Sequence, residues 1–240
     1  IFQSKDNAMK ILIKTLAVGL ALVASQIYAA VADPHSYANF QQVKIEHIDL
    51  DLEVNFDESR LKGTAKIRID KLDDSAESIV LDTRDLTVLA ITSGDRHLPY
   101  SFSDADPNMG SALTIGLPKQ GDTFTVYYHT SPNASGLQWL TPEQTAGKKH
   151  PFLFSQGQAI HTRSFIPLQD TPSVRMTYTA KIATPKELLA VMSASNDPDT
   201  KRDGEYHFDM PQAIPSYLIA LAVGDLEFQA MGPRTGVYSR

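Results

Sequence analysis

From Ile48 to Phe56 apolar and polar residues alternate without a break. Ile48, Leu50, Leu52, Val54 and Phe56 share one parity; Asp49, Asp51, Glu53 and Asn55 share the other. A strand turns successive side chains to opposite faces, so this run predicts a β-strand with one apolar and one wet face. Asp57-Glu58-Ser59-Arg60 reads as a turn. Beyond it Leu61, Gly63, Ala65, Ile67 and Ile69 alternate with Lys62, Thr64, Lys66, Arg68 and Asp70. Two such runs joined by a short polar link predict a hairpin. Its outward faces are acidic on the first arm and mostly basic on the second, so opposite charges support the pairing.

The pattern continues downstream. Ser78 to Leu81, Leu86 to Ile91, Leu113 to Leu117 and Phe124 to His129 are short strand candidates, with turn signals at Ser93-Gly94-Asp95-Arg96 and Lys119-Gln120-Gly121-Asp122. Val174, Met176, Tyr178, Ala180 and Ile182 alternate cleanly. Tyr217 to Val223 is continuously apolar and closed by Gly224, which predicts a strand buried on both faces. The period of 3.6 residues that marks an amphipathic helix is not sustained in any window past residue 32. The expected fold is all-β, an antiparallel β-sandwich or saddle of ten or more strands. Residues 131–172 break the rhythm, with Pro132, Pro142, Pro151, Pro167 and Pro172 and no regular alternation. A stretch this long without clear elements is often functional. Packing alone places Trp139, Phe152 and Phe154 against the sheet rather than around a ligand.

The N-terminal end has a different character. Lys10 and Lys14 follow Met9, an apolar run extends from Leu16 to Ala24, and Ala30-Val31-Ala32 offers small residues just before Asp33-Pro34. This is a charged segment, an apolar segment and a cleavage site, so residues 9–32 are expected to be a signal peptide cut after Ala32. The apolar run is short for a membrane span. The protein is then expected to be exported, periplasmic or secreted, and off the membrane after cleavage. Residues 1–8 lie upstream of Met9 and are set aside from the fold. Residues 33–236 are expected to form the β-domain, and 237–240 to begin a connection onward.

Charge and side-chain inventory narrow the chemistry. Twenty-two basic against 28 acidic side chains give a net charge of −6. There is no basic run, so nucleic acid is excluded as a partner. The chain has no cysteine, which removes disulfides, thiolate metal sites and cysteine nucleophiles. A helical zinc motif needs two histidines four residues apart. The closest pair, His150 and His161, is 161 − 150 = 11 apart. Neither a G-x-S-x-G elbow nor a phosphate-binding glycine loop occurs. Asp104 and Asp106, in Asp-Ala-Asp-Pro-Asn, lack the spacing of an EF-hand and read as a polar turn.

Residues 137–180 carry a different kind of signal. Leu137-Gln138-Trp139-Leu140-Thr141-Pro142-Glu143-Gln144-Thr145 leads to Gly147-Lys148-Lys149-His150-Pro151. Phe154-Ser155-Gln156-Gly157-Gln158-Ala159-Ile160-His161 runs on to Gln169-Asp170-Thr171-Pro172-Ser173-Val174. Together with Val80-Leu81-Asp82-Thr83, Pro185-Lys186-Glu187-Leu188, Ser216-Tyr217-Leu218-Ile219-Ala220-Leu221 and Gly232-Pro233-Arg234-Thr235, this resembles the leukotriene A4 hydrolase-like branch of the M1 zinc aminopeptidases. The resemblance covers about residues 40–240. It implies an N-terminal saddle of strands from an enzyme that removes N-terminal residues from peptides. It also implies a C-terminal catalytic domain of the same protein, which carries the zinc, the general-base glutamate and the exopeptidase loop. Those ligands would lie outside this chain, so no metal or catalytic residue is expected within it, and the chain alone is expected to be inactive.

The resemblance further implies that Gln156, Gly157 and Gln158 line the substrate cleft, with Gln158 helping to hold the free amino terminus of a peptide. Elementary chemistry agrees. Residues two apart in an extended segment face the same way, glycine lets another backbone approach, and an amide oxygen accepts a hydrogen bond from an ammonium group. Many members carry glutamate at the position of Gln158, where the bond would be charge-assisted. The missing domain would leave a partly apolar patch uncovered. Two other readings compete: a non-catalytic exported β-sandwich that binds peptide or carbohydrate, and an interaction subunit of a separately encoded catalytic chain.

Overall fold

The computed structural model describes residues 33–239. The expected signal peptide, 9–32, and residues 1–8 lie outside the described residues, as does Arg240. The described residues form sixteen strands: β1 (Val43–Asn55), β2 (Arg60–Lys71), β3 (Ser78–Thr83), β4 (Thr87–Ser93), β5 (Arg96–His97), β6 (Tyr100–Phe102), β7 (Ser111–Gly116), β8 (Thr123–His129), β9 (Leu137–Leu140), β10 (Phe152–Ser155), β11 (Arg175–Ala183), β12 (Leu189–Met192), β13 (Glu205–Pro215), β14 (Leu221–Gly224), β15 (Glu227–Gly232) and β16 (Thr235–Ser239). Helical structure among them is confined to three single 3-10 turns, Pro142–Gln144, Thr162–Ser164 and Ser216–Leu218.

The strands make a seven-stranded sheet in the order β13-β11-β1-β2-β8-β4-β5. A four-stranded sheet, β12-β14-β10-β9, a three-stranded sheet, β3-β7-β6, and the hairpin β15-β16 complete the set. The expected hairpin is β1–β2, and its register sets Asp49 opposite Lys66 and Glu53 opposite Lys62, the charge pairing the alternation implies. The strand starts at Val43 rather than Ile48. A bulge between Ile45 and His47 shifts the phase by one residue, so Ile45 and Ile48 both point inward although they are three apart.

Two details differ from the expected all-antiparallel plan. The pair β1–β11 is parallel, with Ile48 opposite Tyr178 and Leu52 opposite Ile182. Its connection passes through nine intervening strands, β2 to β10, far more than the dozen residues or so that a parallel return needs. The apolar run from Tyr217 to Val223 is also not one strand. Its start lies in the 3-10 turn Ser216–Leu218, leaving Leu218 48% exposed, and β14 begins only at Leu221. Residues 237–239, expected to open the onward connection, form part of the hairpin arm β16.

One continuous core joins the sheets. Ile48, Leu50, Ile67 and Val126 from the seven-stranded sheet meet Ile79, Leu81 and Ile115 from the three-stranded one, and Leu153 and Val223 from the four-stranded one. Phe165, Ile166 and Leu168, within the irregular stretch, are buried in the same cluster. Trp139 and Phe152 pack against it, Trp139 edge-on to Phe56 at 5.4 Å between ring centroids. Tyr128 on β8 ties sheet to loop: it is buried, and its hydroxyl donates to the Phe165 carbonyl at 2.9 Å. Burial pushes its phenol well above the ordinary value. Tyr128→Phe leaves that buried carbonyl unpaired and is expected to cost about 1–2 kcal/mol, read as a lower urea midpoint at unchanged slope.

Candidate functional site: the Gln156–Gln158 turn and its buried support

Strand β10 delivers the three residues the sequence singles out. It pairs with β9 through Ser155–Leu137 and with β14 through Leu153–Val223. The Leu221 amide donates to Ser155 Oγ at 2.8 Å. The Gln156 amide then donates to the Gly136 carbonyl at 2.8 Å, and the chain leaves the sheet. Gln156 and Gln158 are both exposed, and Gly157 between them is buried. Gln156 Oε1 accepts the Gln158 amide at 3.3 Å, so one glutamine serves partly to hold the other. Among the described residues the exposed Gln158 side-chain amide has no hydrogen-bond partner.

Gly157 is small for a local reason. A Cβ there would lie 2.4 Å from Thr162 Oγ1 and 3.0 Å from the Tyr217 carbonyl oxygen. The close approach it allows in this structure is that of the Ser216–Leu218 turn. Its own carbonyl accepts the His161 amide at 2.8 Å, which closes the turn bearing Gln158.

Beneath this turn lies a charged network. Arg163 is fully buried. Its Nε donates to Asp170 Oδ2 at 3.1 Å, its Nη1 to the Met109 carbonyl at 2.9 Å, and its Nη2 to the His35 carbonyl at 2.7 Å. Asp82, equally buried, lies 3.6 Å from Nη1 and accepts from Ser36 Oγ, the Tyr37 amide and the Asp170 amide at 2.6, 2.7 and 2.8 Å. Asp170 Oδ1 accepts the Ser216 hydroxyl at 2.6 Å. Burial pushes the Asp170 carboxyl up, against the pull of Ser216 and Arg163. Every bond to it is nonetheless donated by a neighbour, the pattern of a carboxylate. Thr162 Oγ1 donates to the Ser216 carbonyl at 3.1 Å, and Gln169 bridges the Ile45 amide and the Val43 carbonyl.

At the rim, His161 Nδ1 lies 3.2 Å from Arg84 Nη1 and 2.9 Å from Ser135 Oγ. Burial and then the Arg84 charge hold the imidazole below its usual value, so the ring accepts these bonds as the neutral form. Sequence reading gave Asp82, Arg163, Asp170 and Ser216 no role. The available signal was an isolated Arg and Asp among Ile160, Phe165, Ile166 and Leu168, and an Asp closing the apolar run Ile79–Leu81.

No group of three or more His, Cys, Asp or Glu among the described residues is placed to hold a metal ion. Asp106, singled out in the acidic turn, spends Oδ1 on the Asn108 and Met109 amides at 2.7 and 2.8 Å, which lowers its carboxyl.

The mixed β-domain thus presents two exposed glutamine side chains, Gln156 and Gln158, on the turn that follows β10. The model of the Peptidase M1 N-terminal domain matches residues 44–218, and the chain belongs to that family. It is 41% identical over 218 residues to leukotriene A-4 hydrolase of Xenopus laevis, covering 87% of this chain and 36% of that protein. With leucine aminopeptidase 2 of Phaeosphaeria nodorum it shares 38% over 220 residues, covering 86% and 35%. The chain thus spans about a third of the length of these relatives. Among solved structures, yeast LTA4 hydrolase in complex with bestatin superposes with a TM-score of 0.80 at 34% identity, covering 88% of this chain and 33% of that one. An M1 zinc metallopeptidase from Deinococcus radiodurans shares the fold at TM-score 0.62 and 22% identity, covering 82% and 46%.

Proposed function

We propose that this domain forms one wall of the substrate cleft of a zinc aminopeptidase, with Gln158 accepting a hydrogen bond from the free amino terminus of a peptide. The observation that carries the reading is the pairing of an unengaged, exposed Gln158 amide with a turn anchored in a buried ionic network. Gln156 Oε1 accepts the Gln158 backbone amide, and Gly157 seats the turn. The curated relatives are a hydrolase and aminopeptidases. Zinc, when bound in the complete enzyme, polarises the scissile carbonyl and activates water. Its ligands belong to a C-terminal catalytic domain. The hairpin β15–β16 supports such a partner, since Phe228, Met231 and Val237 are 39%, 72% and 47% exposed on it.

A coding sequence that continues past Arg240 into His-Glu-x-x-His supports the reading; a stop codon at that point overturns it. In the complete enzyme, Gln158→Ala is expected to raise KM for aminoacyl anilides about 10–100-fold with kcat little changed. That matches about 1.5–3 kcal/mol for a hydrogen bond to a charged group that contributes equally to substrate and transition state. The 240-residue chain alone is expected to bind no stoichiometric zinc and to release no amino acid, as judged by metal analysis and anilide assay. We further propose export with cleavage after Ala32, supported by the charged, apolar and small-residue order of residues 9–32. N-terminal sequencing of the exported protein is expected to begin at Asp33.

A further inference from the structure

We infer that Thr162 and Ser216 are positioning residues for the amine anchor: they couple the buried Asp170 carboxylate to the turn that carries Gln158, and so set where the peptide amino group is held. The inference rests on the proposed role of Gln158. Asp170 Oδ1 fixes the Ser216 hydroxyl at 2.6 Å, and the Ser216 carbonyl fixes Thr162 Oγ1 at 3.1 Å. The next residue, Tyr217, forms the floor against which Gly157 is packed, and Thr162 Oγ1 forms its side. Thr162 also lies just after His161, whose amide closes the turn on the Gly157 carbonyl at 2.8 Å. Ser216, Thr162 and Asp170 are each no more than 1% exposed, so solvent does not compete for these bonds. Asp170 is itself held by the Arg163 guanidinium, which is anchored on carbonyls from the Met109 and His35 segments. The position of an exposed amide is thereby referred to the rigid interior of the domain rather than to a surface loop. A site held in this way keeps its geometry without spending ligand-binding energy on ordering it.

The test is a double-mutant cycle in the zinc-loaded full-length enzyme, with an aminoacyl p-nitroanilide as substrate. Thr162→Val and Ser216→Ala are each made alone and together with Gln158→Ala. Each single substitution is expected to raise KM about tenfold with kcat changed far less, as for lost uniform binding. In the Gln158→Ala background the same substitutions are expected to add less than about twofold, because the group they position is gone. Thr162→Ser, which keeps the hydroxyl, restores KM. Effects that multiply undiminished in the Gln158→Ala background show general loosening and overturn the inference. So does a Thr162→Val enzyme with unchanged KM. If Ser216→Ala does not fold, the Thr162→Val and Thr162→Ser pair decides the matter. A Gln158→Ala enzyme with unchanged KM sinks the amine-anchor reading itself, and is distinguishable from the case where only the positioning variants are silent.

Discussion

Arg163→Met is expected to remove about 3–5 kcal/mol of stability, a large share of the roughly 5–15 kcal/mol that holds a domain folded. Methionine fills much of the space, so the loss is electrostatic rather than a cavity. Asp82 and Asp170 keep their donors from Ser36, Tyr37 and Ser216 but lose the guanidinium that lies between them. The carbonyls of Met109 and His35 lose their donors as well. The pH dependence carries a sign that identifies the cause. Burial already raises the Asp170 carboxyl above its ordinary value, and removing the guanidinium raises it further. The folded state then holds the proton more tightly than the unfolded chain, so stability falls as pH rises through the folded value and recovers as pH is lowered. Urea midpoints for the variant are expected to rise on going from about pH 7.5 to about 5.5, more steeply than for the parent chain. Adding Asp170→Asn is expected to return part of the loss at neutral pH. A variant as stable as the parent, or one further weakened by mild acid, rules out the ionic account.

The hairpin at the centre of the main sheet was readable because its inward and outward residues have opposite chemistry: β1 alternates from Ile48 to Val54 and β2 from Leu61 to Asp70, and they pair in the register their charges favour. Strand β13 carries the same signal in Tyr206, Phe208 and Met210, but Pro211 and Pro215 obscure it. Those prolines are tolerated because β13 is an edge strand, with no ladder partner on its outer side. Strands β9 and β10 are four residues each, too short for a period to show. The parallel pairing of β1 with β11 is a property of topology, since either strand would alternate identically in an antiparallel pair.

The site divides in the same way. Gln156 and Gln158 were marked by resemblance and by spacing, and both are at the surface. Their support was hidden because Asp82, Arg163, Asp170 and Ser216 come from three separate parts of the chain and meet only on folding. A charged residue reads as exposed by default, and burial of a matched set is invisible until the partners are brought together.

Gly157→Ala is expected to lower kcat/KM of the complete enzyme about 100-fold, the scale on which a displacement of roughly 1 Å at a positioned group is felt. The added methyl would sit 2.4 Å from Thr162 Oγ1, 3.0 Å from the Tyr217 carbonyl oxygen and 3.1 Å from Tyr217 Cα, and two of these three neighbours are backbone. The third cannot swing aside cheaply, because Thr162 Oγ1 is bonded to the Ser216 carbonyl. Relief must come from the side that faces solvent, so the turn moves outward and carries Gln158, the next residue, with it. The core below is untouched, and the fold is expected to survive: the variant should unfold cooperatively, at a urea midpoint closer to the parent than that of Arg163→Met. Steady-state kinetics and urea unfolding on the same preparation separate the two effects. An alanine enzyme with parental kcat/KM would show that the place of this turn does not matter to catalysis, and the cleft-wall assignment of Gln158 would fall with it.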